Sequence, residues 1–275
     1  MSSNDNRRKA LGDVVTVDAW HKQFSEGNGI ADLHVDVVFS TARVGGERES
    51  KISFRLSLRR AELVLHAKAT EPLKIDKSSV SRELRSVEVK QTLQKDEKKS
   101  AAVKASAAAS ASSKSVGVRG RLEVSAAADV SVHHKINVTE KLSIIAVKQS
   151  KTHDGHYRWD LTPSAAEILE GRPWDPIKSP RAKLIDTRSD RSRGIPPTVS
   201  IEVRCLREDM LITDIQIKDE NIWQKIRGKS AHQNRIAAAE SFIKDKLVEE
   251  GLEFSDIEDR FGLITLVDVV AEPEG

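Results

Sequence analysis

From Val116 onward, apolar or small side chains recur at alternate positions: Val116, Val118, Leu122, Val124, Ala126, Ala128, Val130, Val132, Ile136, Val138, Leu142, Ile144 and Ala146. Between them fall Arg119, Arg121, Glu123, Ser125, Asp129, Ser131, Lys135 and Asn137. Successive strand side chains point to opposite faces, so a period of two held this long predicts a strand with two chemically different faces. Strands in globular proteins usually run about 5–6 residues, so this one is several times the usual length. Residues 87–111 carry a weaker alternation in the opposite phase, through Val87, Val89, Leu93, Ala101, Val103, Ala105, Ala107, Ala109 and Ala111. The polar tip Ser112, Ser113, Lys114, Ser115 separates the two arms. The pattern predicts one very long amphipathic β-hairpin occupying residues 81–150. Because Ala favours helix and is poor in strands, the first arm also fits an Ala-rich helix or a low-complexity linker; the second arm does not.

The flanking sequence reads as the scaffold that holds this insertion. Leu33, Val35, Val37 and Phe39 alternate, Gly45 and Gly46 mark a turn, and Ile52, Phe54, Leu56 and Leu58 alternate again. A third set follows at 63–67 after a short connection, giving an antiparallel meander with one apolar face, the material of a β-sandwich. After the insertion, Val199, Ile201, Val203 and Cys205 alternate, followed by an apolar run at 210–217. At one constant offset Ile52 matches Val199, Phe54 matches Ile201, Leu58 matches Cys205, Arg60 matches Arg207 and Leu63 matches Met210. This suggests a duplicated β-hairpin, unless two similar hairpins share a binary pattern by chance. Tyr157, Trp159 and Leu161 predict a strand ending at Pro163; 164–170 reads as one or two helical turns stopped by Gly171. The stretch 172–197, rich in Pro, Gly, Arg and Asp, reads as a long surface loop with a short strand at 183–186.

Near the end the period changes to that of a helix: Ile236, Ala239, Ile243 and Leu247 share a stripe beside Phe242, and Gly251 stops it. A shorter helix is expected at 221–226, a capped turn at Ser255 with Glu258, a central strand at 263–270 and a free tail. The expected fold is therefore mainly β, antiparallel and sandwich-like, α+β overall. Residues 1–80 and 151–220 form its core, and 219–275 supply a helix and final strand.

Composition narrows the function. Charged residues are 32% of the chain and aromatics 4%, with a net charge of +3, too small to argue for nucleic acid by itself. One cysteine, Cys205, rules out an intrachain disulfide framework and suits a reducing compartment. Neither a signal peptide nor an apolar run of membrane-spanning length is visible, so a cytoplasmic location is expected. His153, Asp154 and His156 have a spacing that suits a metal, but no second ligand cluster accompanies them, and a solvated turn is the simpler reading. His133 and His134 fall on opposite strand faces, His34 and His66 lie within strand patterns, and Cys205 alternates with core residues. Nucleophile-elbow, zincin, Walker and dinucleotide motifs are missing. The expectation is a non-enzyme with no cofactor, no bound metal and no small-molecule substrate.

Three functions remain. A strand this long leaves edges that demand partners, which predicts a homo-oligomer assembled through the hairpin. Its assembly face would be Val103, Ala105, Ala107, Ala109, Val116, Val118, Leu122, Val124, Ala126, Ala128, Val130 and Val132. Alternatively, residues 101–111 and 116–130 meet the roughly 9–11 residues that cross a bilayer, and in pattern they resemble the stem hairpins of β-pore-forming proteins. Against lipid, Trp, Tyr and Phe are absent between Phe54 and Tyr157, where membrane barrels carry aromatic girdles. The third function is nucleic-acid binding through an anion-binding loop at Arg181, Arg188, Arg191 and Arg193, diluted by Asp186 and Asp190.

Overall fold

The computed structural model describes residues 7–25, 27–48, 50–82, 145–191, 195–218 and 228–274. The hairpin residues 103–132, Arg193 and the helix expected at 221–226 lie outside the described residues. Contacts divide the chain into one unit of Met1–Val87 with Leu142–Gly275 and another of Glu88–Lys141. The first unit is mainly antiparallel β with one C-terminal helix, as the patterning predicts.

Numbered along the chain, its strands form three sheets. The six-stranded sheet runs β1 (Arg7–Lys9), β13 (Leu263–Val270), β11 (Ser200–Leu206), β6 (Ala61–His66), β9 (Tyr157–Pro163) and β8 (Ile145–Lys151). The five-stranded sheet runs β14 (Glu272–Pro273), β2 (Val15–His21), β3 (Ile30–Phe39), β10 (Ala182–Asp186) and β7 (Leu73–Ile75). The three-stranded sheet is β12 (Met210–Ile217), β5 (Ile52–Leu58) and β4 (Ala42–Gly45). Their inward-facing residues share one apolar core, in which Phe39, Phe54, Leu56, Leu63, Leu65, Trp159, Leu161, Ile201 and Val203 are all at most 1% exposed.

The two segments related by the sequence offset are not hairpins. β5 pairs with β12, and β6 pairs with β11, so each segment leaves one sheet and enters another at its connection. The result is two bent strands running antiparallel along both halves, with Leu56 opposite Ile212 and Leu63 opposite Val203. The turn chemistry explains this. A two-residue hairpin needs residues that accept positive φ, usually Gly or Asn, whereas the first connection is Arg59-Arg60. The corners are tied together: Arg59 N donates to Asp209 O (2.7 Å), and Arg60 Nε donates to Asp209 Oδ1 (2.6 Å).

Other expectations change for local reasons. Within 172–197 the short strand expected at 183–186 is present as β10, but it lies inside a sheet, between β3 and β7, rather than in a surface loop. Trp174 is buried there with its indole N–H on Val35 O (2.7 Å). Residues 164–170 form bends rather than a helix, and Gly171 bridges to Phe39. At 255–262 the Asp256 and Asp259 carboxylates accept from Glu258 N and Phe261 N, stabilising turns in place of a capped helix. The tail is not free, since β14 pairs in parallel with β2.

The helix α1 (Gly228–Glu249) buries Ala239, Ile243 and Leu247, and Phe242 meets Phe54 edge-to-face at 5.9 Å. It ends where Gly251 adopts φ 64°, with Leu252 N on Leu247 O (2.9 Å) and Gly251 N on Val248 O (3.0 Å). That is the Schellman arrangement. Leu63, fully buried where the bent strands pair, should cost about 2–5 kcal/mol when replaced by Ala. Urea unfolding measures this; a loss of about 0.5 kcal/mol or less, as at a surface site, would contradict the packing described.

Candidate interaction surface

Edges decide where a β protein can associate, because an edge strand presents unpaired N–H and C=O groups. Most edges in the described residues are blunted. β14 has two residues, β1 and β7 have three, and β4 has four. β12 is longer, but its register shifts between Thr213 and Gln216, and α1 packs on it. β8 has seven residues and an unbroken register against β9, from Ile145 opposite Pro163 to Lys151 opposite Tyr157. Among the described residues β9 is its sole strand partner. β8 is also the end of the alternating stretch 116–147.

The phase of that end differs from the sequence reading. Ile145 and Val147 are buried, Ala146 is half-buried and Lys148 is exposed. Here the inward face is Ile145 and Val147 rather than Ala146, because Val147 sits opposite Leu161 over the core. The start of the insertion is anchored nearby: Trp159 Nε1 donates to Ser81 O (2.9 Å), and Ser81 N donates to Arg181 O (2.9 Å).

Next to this edge, the outward face of the six-stranded sheet is charged. Arg158 bridges Glu62 (3.0 Å) and Asp160 (2.9 Å), and Arg204 reaches Glu62 (3.3 Å). Thus Glu62 and Asp160, cross-strand partners of like charge, are held together by two guanidiniums. A second like-charged pair, Glu202 opposite Asp268, is less well compensated. His66 Nε2 lies 3.1 Å from Glu202 Oε2, in contact but poorly aligned for a hydrogen bond, and the His66 and His156 rings meet at 4.5 Å, tilted by 49°. Burial pushes Glu202 up, but His66 and Arg204 outweigh it and hold its carboxyl below the ordinary value. Asp268 is raised, by burial first and the Glu202 charge second, and its Oδ1 is buried without a hydrogen-bond partner. Burial and the neighbouring His66 lower His156. Alternating polar residues in each strand were visible in sequence; which strands lie side by side was not.

The arginine loop does different work from that expected. Arg181 is fully buried over the Trp174 ring (4.2 Å to the centroid), its guanidinium donating to Ser179 O at 2.9 and 3.0 Å. It is not on an anion-binding surface. Arg188 pairs with the buried Asp186 carboxylate (2.7 Å), and their hydrogen bond holds Asp186 below the ordinary carboxylate range. Arg191 donates to Asp186 O and Gly27 O, crossing Gly29, where φ is 63° and a Cβ would lie 2.5 Å from Arg191 Nε.

The remaining candidates are also placed. His153 and Asp154 sit in the turn closed by Gly155 N on Thr152 O (3.0 Å). Among the described residues no group of three or more His, Cys, Asp or Glu side chains has metal-holding geometry. Cys205 is buried, and burial pushes its thiol far up, away from nucleophilic character. No described helix is long and apolar enough to cross a membrane. Compared with known proteins, the chain matches no protein-family model and no curated protein sequence.

The charged face carries a pH signature. A raised carboxyl means the folded state keeps a proton that the unfolded chain releases, so Asp268 lowers stability as pH rises through the carboxylate range. Asp268→Asn should therefore raise Tm near neutral pH by a few degrees, on the order expected for a modest stability gain. The gain should shrink toward acid pH, where Asp268 is protonated in both states. Thermal melts across that range test it; a gain independent of pH would assign the effect to packing instead.

Proposed function

We propose that the chain is a non-enzymatic self-assembling protein in which the long insertion pairs with neighbouring copies and the sheet scaffold holds its base. The observation that carries this is the β8 edge: seven regular residues, the least blunted of the edges described, at the point where the alternating stretch joins the scaffold. Lys148 and Lys151 project from β8. Two β8 strands centred on each other would bring like charges together, so the partner is the insertion of another copy rather than its β8. The partners are thus other copies of this chain, in a ring, filament or shell.

Insertion of the same hairpins into lipid is the second reading, favoured by the length and two-faced pattern of 101–111 and 116–130. Nucleic-acid binding ranks below both, since Arg181 is buried, Arg188 faces a carboxylate and Arg191 holds carbonyls. Light scattering of the full chain and of a variant lacking residues 97–139 separates these readings. The expected result is a multimer for the full chain and a monomer for the deletion. A full chain that stays monomeric at its highest soluble concentration overturns the assembly reading. Dye release from liposomes by the full chain, lost in the deletion, would move the conclusion to membrane insertion.

A further inference from the structure

The loop that joins β8 to β9 closes on itself through Thr152 and His156. Thr152 N donates to His156 O (2.9 Å), His156 N donates to Thr152 Oγ1 (3.1 Å), and Gly155, at φ 86°, turns the chain between them. The His156 ring reaches out of this hairpin to His66 of β6, one residue beyond the Leu65–Tyr157 pair, with ring centres 4.5 Å apart. Both residues are half-buried, and His66 Nε2 is buried without a hydrogen bond. Two further polar atoms of the same sheet face, Arg204 Nε and Asp268 Oδ1, share that condition. A buried polar patch satisfied only in part responds strongly to any change of charge.

The two imidazoles are not equally placed to carry charge. A proton on His66 has a carboxylate beside it, Glu202 Oε2 at 3.1 Å. Among the described residues His156 has no carboxylate in contact. Glu202 and Asp154, the latter in the same exposed loop as His153, favour its proton from a distance, while His66 and Arg204 oppose it. Arg158, two residues along β9, is taken by Glu62 and Asp160, and Lys151 of β8 lies over the Tyr157 ring at 4.8 Å. Beyond Glu202, Asp268 of β13 has Arg8 of β1 and Lys68 as its cations. The pair therefore accommodates one positive charge, on His66. A second, on His156, sets two cations in contact where water is partly excluded. Burial first and His66 second hold His156 below the ordinary imidazole value.

We infer that the His66–His156 contact is a proton-operated latch: in mild acid, protonation of His156 separates the rings and loosens the β8–β9 loop. The latch is independent of the assembly reading. Because the closed loop resists protonation of His156, the open loop binds that proton more readily, and opening is favoured as pH falls through the imidazole range. Asp268, whose carboxyl is raised, acts with the opposite sign and favours the folded strands in acid; Glu202, held low, titrates further down. Amide hydrogen exchange on the full chain, corrected for its intrinsic pH dependence, tests this between about pH 8 and about pH 5. The opening equilibrium at Gly155, His156 and Tyr157 should rise roughly tenfold or more in acid, while Val203 and Val267, paired within the sheet, stay unchanged. His156→Gln should abolish the rise. His66→Gln should reduce it and move the titration of the His156 ring C–H resonances up, toward the ordinary imidazole value. Melting curves at about pH 8 check that both variants fold; if His156→Gln does not, the His156 titration in His66→Gln decides. Exchange that is the same at both ends of the range, a rise that persists in folded His156→Gln, or a His156 titration unmoved by His66→Gln overturns the latch. An equal rise at Val203 and Val267 assigns the effect to global unfolding and overturns it too.

Discussion

The fold depends on the antiparallel pairing of two bent strands, β5–β6 and β11–β12. Each half of that pairing belongs to a different sheet, so the two corners set how the six-stranded and three-stranded sheets share one core. The residues that alternate inward along it, Phe54, Leu56, Leu58, Leu63, Leu65, Ile201, Val203, Cys205 and Met210, are all buried. At roughly 1.5–3 kcal/mol for each large apolar side chain buried, this pairing alone is a dominant part of the driving force. The corners themselves are held by charge. Asp209 is 5% exposed at its side chain and takes the Arg60 guanidinium, while Glu208 joins Arg60 to Arg260. Burial at Asp209 makes the contact firm, because a partly desolvated carboxylate gains more from a guanidinium than an exposed one does.

Much of this was legible from side-chain periodicity. β3, β9, β13 and the buried stripe of α1 followed from runs whose period matched one element and whose flanks carried turn residues. The offset between 52–65 and 199–212 was legible too, but it was read as paired neighbours. Binary pattern reports which face of a strand is buried and says nothing about which strand lies alongside. That is why β5 was matched to β6, with which it does not pair. β10 was legible as a short strand at 183–186, but its place inside a sheet was not. It has five residues in a Pro- and Arg-rich stretch, and it is a strand because Leu33 and Ile75 offer partners on both sides. Arg181 and Asp186 looked like solvent charges because a sequence pattern does not show that Ser179 and Arg188, each two residues away, and Trp174 turn back onto them.

The charged outer face shows the same limit at the level of the site. Glu62, Arg158, Glu202 and Arg204 are polar residues in three alternating strands, each unremarkable by itself. Their meaning comes from adjacency: guanidiniums placed over one like-charged pair, and a second pair set beside His66 with one carboxyl raised and the other lowered. The edges show a consistent policy. Short strands, a bulge and a covering helix close most of them, and β8 is left long and regular where the insertion ends.

The ends of the described chain are stitched into the sheets. β1 pairs with β13, β14 pairs with β2, and Arg7 reaches Asp18 (3.1 Å) and Glu272 (3.5 Å). Moreover, β13 is an interior strand, inserted between β1 and β11. During synthesis, then, β11 emerges with one side open, and the six-stranded sheet closes only once β13 has followed it. Closure of this sheet is accordingly governed by long-range pairing rather than by the order in which its strands appear.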